Sequence, residues 1–129
     1  MSEIKKILIA DDNPINQQIM GRLLKKLGYE YDIVDNGEEA VKGTMKGDYS
    51  VILMDVHMPV MGGVEATKII KSNCRGNCPI IIALTADSFI GDEEELLSAG
   101  MDDYLPKPIN KESLENKLIK WLQTDKNDV

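Results

Sequence analysis

The feature of this chain that most restricts its fold is a regular alternation of short apolar runs with longer helical stretches, repeated five times. The runs at residues 7–10, 51–54 and 80–84 contain no alternating polar residues, which is typical of parallel strands covered on both faces. Two weaker runs, at residues 31–34 and 103–105, complete a set of five predicted strands. A parallel sheet with helical crossovers is therefore expected.

The predicted helices begin and end at ordinary signals. Pro14–Leu27 follows Asn13, a residue type that caps helices, and stops before Gly28. The other predicted helices span Gly37–Lys46, residues 63–72, residues 92–99 and Lys111–Leu122. Because crossovers between parallel strands are right-handed, this order predicts a flavodoxin-like, doubly wound α/β domain with five parallel strands in the order 2-1-3-4-5.

Length and charge narrow the class of protein. The 129 residues fit one domain with its own core, and we expect it to span residues 1–123, followed by a short polar tail at residues 124–129. The net charge of −7 argues against direct binding of nucleic acid, which needs a basic surface. No apolar run approaches the ~20 residues of a spanning helix, and the N-terminus does not resemble a signal peptide. We therefore expect a cytoplasmic protein without direct membrane contact.

The two cysteines, Cys74 and Cys78, lie close together in a polar segment. A zinc site needs four ligands, and the single histidine, His57, lies elsewhere in the chain. Disulfides are rare in reduced compartments. The sequence therefore predicts two unpaired thiols in a loop.

Polar residues follow the carboxyl ends of four predicted strands. Asp11 and Asp12 follow strand 1, Asp55 follows strand 3, Thr85 follows strand 4, and Lys107 lies just after strand 5. Doubly wound sheets bind their ligands beyond these strand ends, near the switch point between strands 1 and 3. We expect these five side chains to converge at one edge of the sheet.

This set of groups suits phosphoryl transfer to a carboxylate. Three close carboxylates repel one another unless a cation neutralises them, and Mg²⁺ accepts both carboxylate and phosphate oxygens. Asp55 is the predicted nucleophile that forms an aspartyl phosphate, and Asp11 and Asp12 are the predicted metal ligands. Thr85 and Lys107 can stabilise the transferred oxygens. Each residue taken alone has an ordinary structural explanation, such as a turn or a helix cap, and their joint occurrence favours a site.

Five segments in fixed order make the sequence resemble a response-regulator receiver domain, especially the type attached to or served by hybrid sensor kinases. They read ILIADDNPIN, NGEEAV, VILMDVHMPVM, PIIIALTA and AGMDDYLPKP. The resemblance runs from about residue 5 to residue 122. It implies that Asp55 accepts a phosphoryl group from the phosphohistidine of a histidine kinase or a histidine phosphotransfer protein.

The resemblance also implies roles for the surrounding residues. Asp12 and Asp55 would bind Mg²⁺ directly and Asp11 through water, with the backbone carbonyl of His57 as a third protein ligand. Tyr104 would be the aromatic residue that changes rotamer when Thr85 moves to contact the phosphoryl group. Lys107 would contact the same group, and the peptide bond to Pro108 would be cis.

A docking surface for the phosphodonor is expected beside the acceptor. The apolar residues of the first helix cover about half of its circumference, more than packing on a sheet needs. They are Ile15, Ile19, Met20, Leu23, Leu24 and Leu27. We expect Ile15 to rim the site, and the resemblance implies that this rim, with Pro108, receives the phosphotransfer helix. The alternative is that all six residues belong to the core.

Three departures from the family pattern lie in the segments that follow Asp55 and Thr85. Gly62 stands where the family often has Asp or Asn, a loss of a helix cap that costs only a few tenths of a kcal/mol. His57 and Asp87 occupy positions that tune dephosphorylation in the family, so the lifetime of the phosphorylated state does not follow from the sequence.

Two other functional classes compete with a signalling domain. One is a Mg²⁺-dependent phosphohydrolase that acts through an aspartyl phosphate, although the chain has no spare residues for a cap domain. The other is a binding module with a vestigial acidic pocket. As a signalling domain, the chain would catalyse only its own phosphorylation and dephosphorylation, as a monomer or a weak phosphorylation-dependent dimer. A stand-alone regulator and a receiver excised from a hybrid kinase both fit the sequence.

Overall fold

The computed structural model describes residues 6–47, 49–74, 78–85, 93–107 and 109–122. Within these ranges, five strands alternate with five helices along the chain. The strands are β1 Lys6–Ala10, β2 Glu30–Val34, β3 Val51–Asp55, β4 Ile80–Thr85 and β5 Asp103–Pro106. The helices are α1 Pro14–Leu27, α2 Gly37–Lys46, α3 Gly63–Asn73, α4 Glu93–Ser98 and α5 Lys111–Leu122.

The sheet has the strand order 2-1-3-4-5, and every pair of neighbouring strands is parallel. This confirms the predicted doubly wound α/β fold. β1 and β3 lie next to each other in the middle, with Ala10 opposite Met54 at their carboxyl ends. The residues that follow these two strands therefore meet at the switch point of the sheet.

Both faces of the sheet are covered, which explains the uninterrupted apolar runs. Alternate residues of β1 and β3 point to opposite faces, as the period of a strand requires. One core cluster contains Ile7, Ile9 and Leu53 with apolar residues of α1 and α5. The other contains Leu8 and Ile52 with residues of α2, α3 and α4.

The ends of α1 follow the signals read from the sequence. The Asn13 side chain accepts hydrogen bonds from the backbone N–H groups of Ile15 and Asn16, and Pro14 occupies the first turn. Gly28 ends the helix with a φ of 91°, a left-handed conformation that glycine adopts without strain. At α3 the cap residue Gly62 offers no side chain, as expected.

Asp103 links β5 to α5 through a buried carboxylate. Its oxygens accept hydrogen bonds from Lys117 Nζ at 2.8 Å, Trp121 Nε1 at 2.8 Å and the backbone N–H of Tyr104 at 2.8 Å. Lys120 Nζ lies farther away, at 3.5 Å. Burial raises the pKa of Asp103, but the hydrogen bonds from Lys117, Trp121 and Tyr104 outweigh it and leave the pKa below its ordinary value.

The prediction of two free thiols is wrong. Cys74 and Cys78 form a disulfide, with their Cα atoms 5.3 Å apart, a separation that a disulfide spans without backbone movement. Cys74 is the C-cap residue of α3, and Cys78 lies two residues before β4, which begins at Ile80. The prediction rested on the rarity of disulfides in reduced compartments, and the close approach of the two cysteines did not follow from the sequence pattern.

Some expectations fall outside the described residues and stay predictions. They concern Asp87, Pro108 with its cis bond, the start of a helix at Asp92, and the polar tail at residues 124–129. In the parts of the chain that the structure describes, no helix has the length and apolar character needed to cross a membrane.

Candidate functional site

Three carboxylates meet at the carboxyl edge of the central strands. Asp55 is the last residue of β3, and Asp11 and Asp12 directly follow β1. One oxygen from each lies within 4.8 Å of the others. Asp11 and Asp55 are buried, whereas Asp12 is exposed to solvent. The sequence prediction that these strand ends converge is confirmed for the acidic residues.

Lys107 reaches the same cluster from the end of β5. Its Nζ lies 3.2 Å from Oδ1 of Asp55 and 3.7 Å from Oδ2 of Asp11. The backbone N–H of Lys107 donates to the carbonyl of Thr85 at 2.7 Å, which fixes the chain at this point. One ammonium group facing three carboxylates leaves the site with an excess of negative charge.

The excess of negative charge has its clearest effect on Asp11. Burial raises the pKa of its carboxyl group, and the nearby charge of Asp55 adds to the rise. Among the described residues, its buried Oδ2 has no hydrogen-bond partner, since 3.7 Å to Lys107 is too long for a hydrogen bond. A buried acceptor without a donor, beside two further carboxylates, fits a hard cation such as Mg²⁺, which binds carboxylate oxygens.

Thr85 and Tyr104 lie on neighbouring strands next to this cluster. Thr85 is buried at the end of β4, and its hydroxyl faces the carbonyl of Leu105 across the sheet at 3.4 Å, a weak hydrogen bond. The hydroxyl must therefore turn to contact a group on Asp55. Tyr104 is half-buried and packs against the core cluster that α2, α3 and α4 cover.

His57 stands two residues after Asp55, with an exposed side chain. Its backbone N–H lies 3.4 Å from Oδ1 of Asp55, at the limit of a hydrogen bond. The predicted contact between its carbonyl and a metal ion stays a prediction.

Gly63 belongs to the site, a role that the sequence patterns did not predict. Its N–H donates to the carbonyl of Val56 at 2.8 Å, and a Cβ atom at this position would collide with the carbonyl oxygen of Asp55. Only glycine lets α3 begin directly behind the acceptor residue. The sequence signal for this close approach is the Gly62–Gly63 pair.

Three exposed apolar side chains, Ile15, Ile19 and Val60, lie on the segments that follow β1 and β3, and we call them the apolar rim. Ile15 is 66% exposed and Ile19 43%, so the alternative that all apolar residues of α1 are core is wrong. Ile19 also lines a cleft of about 40 Å³ beside Asp11 and Lys107.

Val60 lies in the loop between β3 and α3 and is 76% exposed. Its φ of 69° and the bond from Met61 N–H to Pro59 carbonyl describe a γ-turn, which is strained for a β-branched residue. This turn presents the Val60 side chain to solvent on the loop that follows Asp55.

A family model described as the response regulator receiver domain matches residues 7–119. The chain belongs to this family. The receiver domain is thus a phosphoacceptor signalling domain of two-component phosphorelays and not a classical enzyme, which disfavours the phosphohydrolase alternative.

Relatives of the receiver domain are parts of larger signalling proteins. Hybrid signal transduction histidine kinase B of Dictyostelium discoideum is 43% identical over 92% of this chain, which covers 7% of that protein. The chain spans between 7% and 15% of the length of three curated relatives, all histidine kinases.

Two solved structures resemble the receiver domain over nearly its whole length. One is the receiver domain of a Pseudomonas aeruginosa sensor histidine kinase with a magnesium ion in its active-site cleft; the TM-score is 0.86 and the identity 39%, over 95% of this chain and 100% of that one. The other is the Saccharomyces cerevisiae receiver domain of Ssk1 in complex with the histidine phosphotransfer protein Ypd1. It has a TM-score of 0.83 and 37% identity, over 94% and 90% of the two chains.

Proposed function

We propose that this receiver domain takes a phosphoryl group onto Asp55 from a phosphohistidine in a Mg²⁺-dependent reaction. One observation carries the proposal: the Asp55 carboxylate ends the central strand beside two further carboxylates, with the Lys107 ammonium 3.2 Å away. Asp12 and Asp55 would hold the ion directly, together with the carbonyl of His57, and Asp11 would hold it through water. The magnesium-bound receiver of the Pseudomonas kinase supports this choice of metal.

The transfer needs little proton chemistry from the protein. An oxygen of Asp55 forms a bond to phosphorus while the phosphorus–nitrogen bond of the phosphohistidine breaks. The electron pair of the broken bond stays on the nitrogen of the leaving imidazole. A bound magnesium ion supplies positive charge that offsets the carboxylates and the phosphoryl oxygens. Lys107 shifts from the free carboxylate to a phosphoryl oxygen.

The same groups provide a switch. The Thr85 hydroxyl leaves the carbonyl of Leu105 and donates to a phosphoryl oxygen, which is a stronger, charge-assisted hydrogen bond. Tyr104 then changes rotamer in the space that Thr85 has left. With the groups of this site, the domain would catalyse its own phosphorylation and dephosphorylation. It would not act on a separate substrate.

Labelling of the native protein tests this proposal. Incubation with acetyl phosphate and Mg²⁺ should add one phosphoryl group, which mass spectrometry of reduced, digested protein should place on Asp55. Chelation of the metal and the substitution Asp55→Asn should each prevent labelling. A phosphoryl group on another residue, or labelling that survives chelation, would contradict the proposal.

The partner follows from the donor chemistry. A histidine kinase or a histidine phosphotransfer protein must bring an imidazole to Asp55, and the complex of Ypd1 with the Ssk1 receiver shows one receiver domain bound to such a protein. The apolar rim, with Pro108, would contact the donor helix by packing and exclude water. We place this exchange in the cytoplasm, between a donor and a receiver that is monomeric or dimerises weakly when phosphorylated.

Substitution of Ile15 separates docking from chemistry. Ile15→Asp should slow transfer from a phosphorylated histidine phosphotransfer protein by about tenfold or more, because loss of a docking contact worth about 1.4 kcal/mol has that effect. Labelling by acetyl phosphate should stay within about twofold of wild type. Met45→Asp is the matched control, because Met45 is 64% exposed on α2. Equal loss with both donors would show that Ile15 supports the fold or the site.

A further inference from the structure

The side chain of Gln17 joins two loops at the edge of the site. Gln17 lies in the second turn of α1 and uses both hydrogens of its amide. One is donated to the backbone carbonyl of Asp11, and the other to Oδ1 of Asp35 at 2.8 Å. Both hydrogen bonds join Gln17 to residues outside α1, so they do not stabilise the helix itself.

The contact with Asp11 fixes a peptide unit at the centre of the predicted metal site. The N–H of Asp11 donates to the carbonyl of Val34 at 3.2 Å. Oδ1 of Asp11 accepts a hydrogen bond from the N–H of Asn13 at 2.9 Å. Gln17 supplies the donor for the remaining backbone group, the carbonyl. Because a peptide unit is planar, holding this carbonyl also sets the direction in which the Asp12 Cα and side chain leave the turn.

The contact with Asp35 anchors Gln17 to a second element. The N–H of Asp35 donates to Oε1 of Glu39 at 2.9 Å, and the N–H of Glu39 donates to Oδ1 of Asn36, the cap of α2. The side-chain amide of Gln17 therefore connects the turn after β1 to the loop after β2 and the start of α2. The exposed Asp12 has no described hydrogen bond of its own side chain, so its position depends on this turn.

We propose that Gln17 is a positioning residue for the metal site, acting on Asp11 and Asp12 through the peptide unit between them. This inference rests on the proposed magnesium site. Removal of the amide takes the donor away from the carbonyl of a buried residue and loosens the turn, so that the Asp12 carboxylate is held less firmly beside Asp11 and Asp55. Outer partners of metal ligands typically contribute about 10–100-fold to metal affinity.

Magnesium binding without any phosphodonor tests the inference directly. In an NMR titration of the ¹⁵N-labelled protein with MgCl₂, Gln17→Leu should raise the dissociation constant about tenfold, since leucine has a similar volume and no donor. Gln17→Glu should raise it further, because its carboxylate would face the carbonyl of Asp11 and the carboxylate of Asp35. Gln18→Leu, on the exposed side of the same helix, should bind like wild type.

Labelling rates and a double variant distinguish positioning from a general loss of structure. At saturating Mg²⁺, Gln17→Leu should be labelled by acetyl phosphate within about twofold of the wild-type rate, because no ligand or reacting group is lost. Asp35→Ala should weaken binding less than Gln17→Leu, and the double variant should bind no more weakly than Gln17→Leu alone.

An unchanged dissociation constant in folded Gln17→Leu would overturn the inference, as would additive effects of the two substitutions. Those results would leave the proposed function standing. Wild-type protein that binds Mg²⁺ but is not labelled on Asp55 would instead overturn the proposed function, and the dissociation constants would still decide the role of Gln17.

Discussion

Asp12→Ala is expected to slow magnesium-dependent labelling of Asp55 by at least about 100-fold, while the protein stays folded. The Asp12 carboxylate is one of three that converge, and losing a metal that stabilises transferred charge by several kcal/mol has an effect of this size. The side chain is exposed and makes no hydrogen bond among the described residues. Its removal therefore breaks no hydrogen bond in the described part of the chain and relieves repulsion with Asp11 and Asp55.

Two measurements check this expectation. Labelling rates with acetyl phosphate should collapse, and the midpoint of thermal unfolding without Mg²⁺ should be equal to or above that of wild type. Glu38→Ala removes one negative charge from the exposed start of α2 and serves as the control. Labelling of Asp12→Ala at the normal rate would show that the metal site has been assigned to the wrong residues.

Asp103→Ala is expected to destabilise the domain by about 3 kcal/mol, a change of more than 100-fold in the folding equilibrium. The buried carboxylate accepts three hydrogen bonds at 2.8 Å, and bonds to a charged group contribute about 1.5–3 kcal/mol each before relaxation. Urea denaturation measures the loss. Lys120→Ala removes the long contact of an exposed ammonium group with Asp103 and its position 5.2 Å over the Trp121 ring, and should change stability by less than about 1 kcal/mol.

The stabilisation by Asp103 should depend on pH in a defined direction. The folded-state pKa lies below the ordinary value of 3.8, so the contribution is complete above pH 3.8 and is lost as the pH falls through the folded value. The difference between wild type and Asp103→Ala should therefore shrink in acid. Asp11 has the opposite sign, because its raised pKa means that protonation relieves a cost of folding. A difference that grows in acid would contradict the assignment.

The fold was predictable because local patterns determine it almost alone. The uninterrupted apolar run of β3 predicted a strand buried on both faces of the sheet. Because connections are short and crossovers are right-handed, only a few strand orders were then possible. The convergence of Asp11, Asp12 and Asp55 followed, since the ends of parallel strands meet at one edge. The exposed margin of α1 also followed, because the apolar residues exceeded what one packed face can bury.

Contacts between residues distant in sequence were not predictable from patterns. The bond from Gln17 to Asp35 and those from Asp103 to Trp121 depend on side-chain directions that only the folded chain sets. The need for Gly63 depends on the close approach of Asp55, and the disulfide depends on the 5.3 Å separation of the Cα atoms of Cys74 and Cys78. In each case the residue types were ordinary, and their spatial neighbours gave them a role.

The close contact between Gly63 and Asp55 makes the acceptor mechanically asymmetric. On one side, Gly63, the first residue of α3, packs directly against the backbone of Asp55 and donates a hydrogen bond to the carbonyl of Val56. The backbone of Asp55 therefore cannot shift toward α3. On the other side, the Thr85 hydroxyl makes one weak hydrogen bond among the described residues, 3.4 Å to the carbonyl of Leu105. Strain created by a bulky phosphoryl group should therefore relax toward β4 and β5, and the face of the domain near Tyr104 should carry the displacement outward.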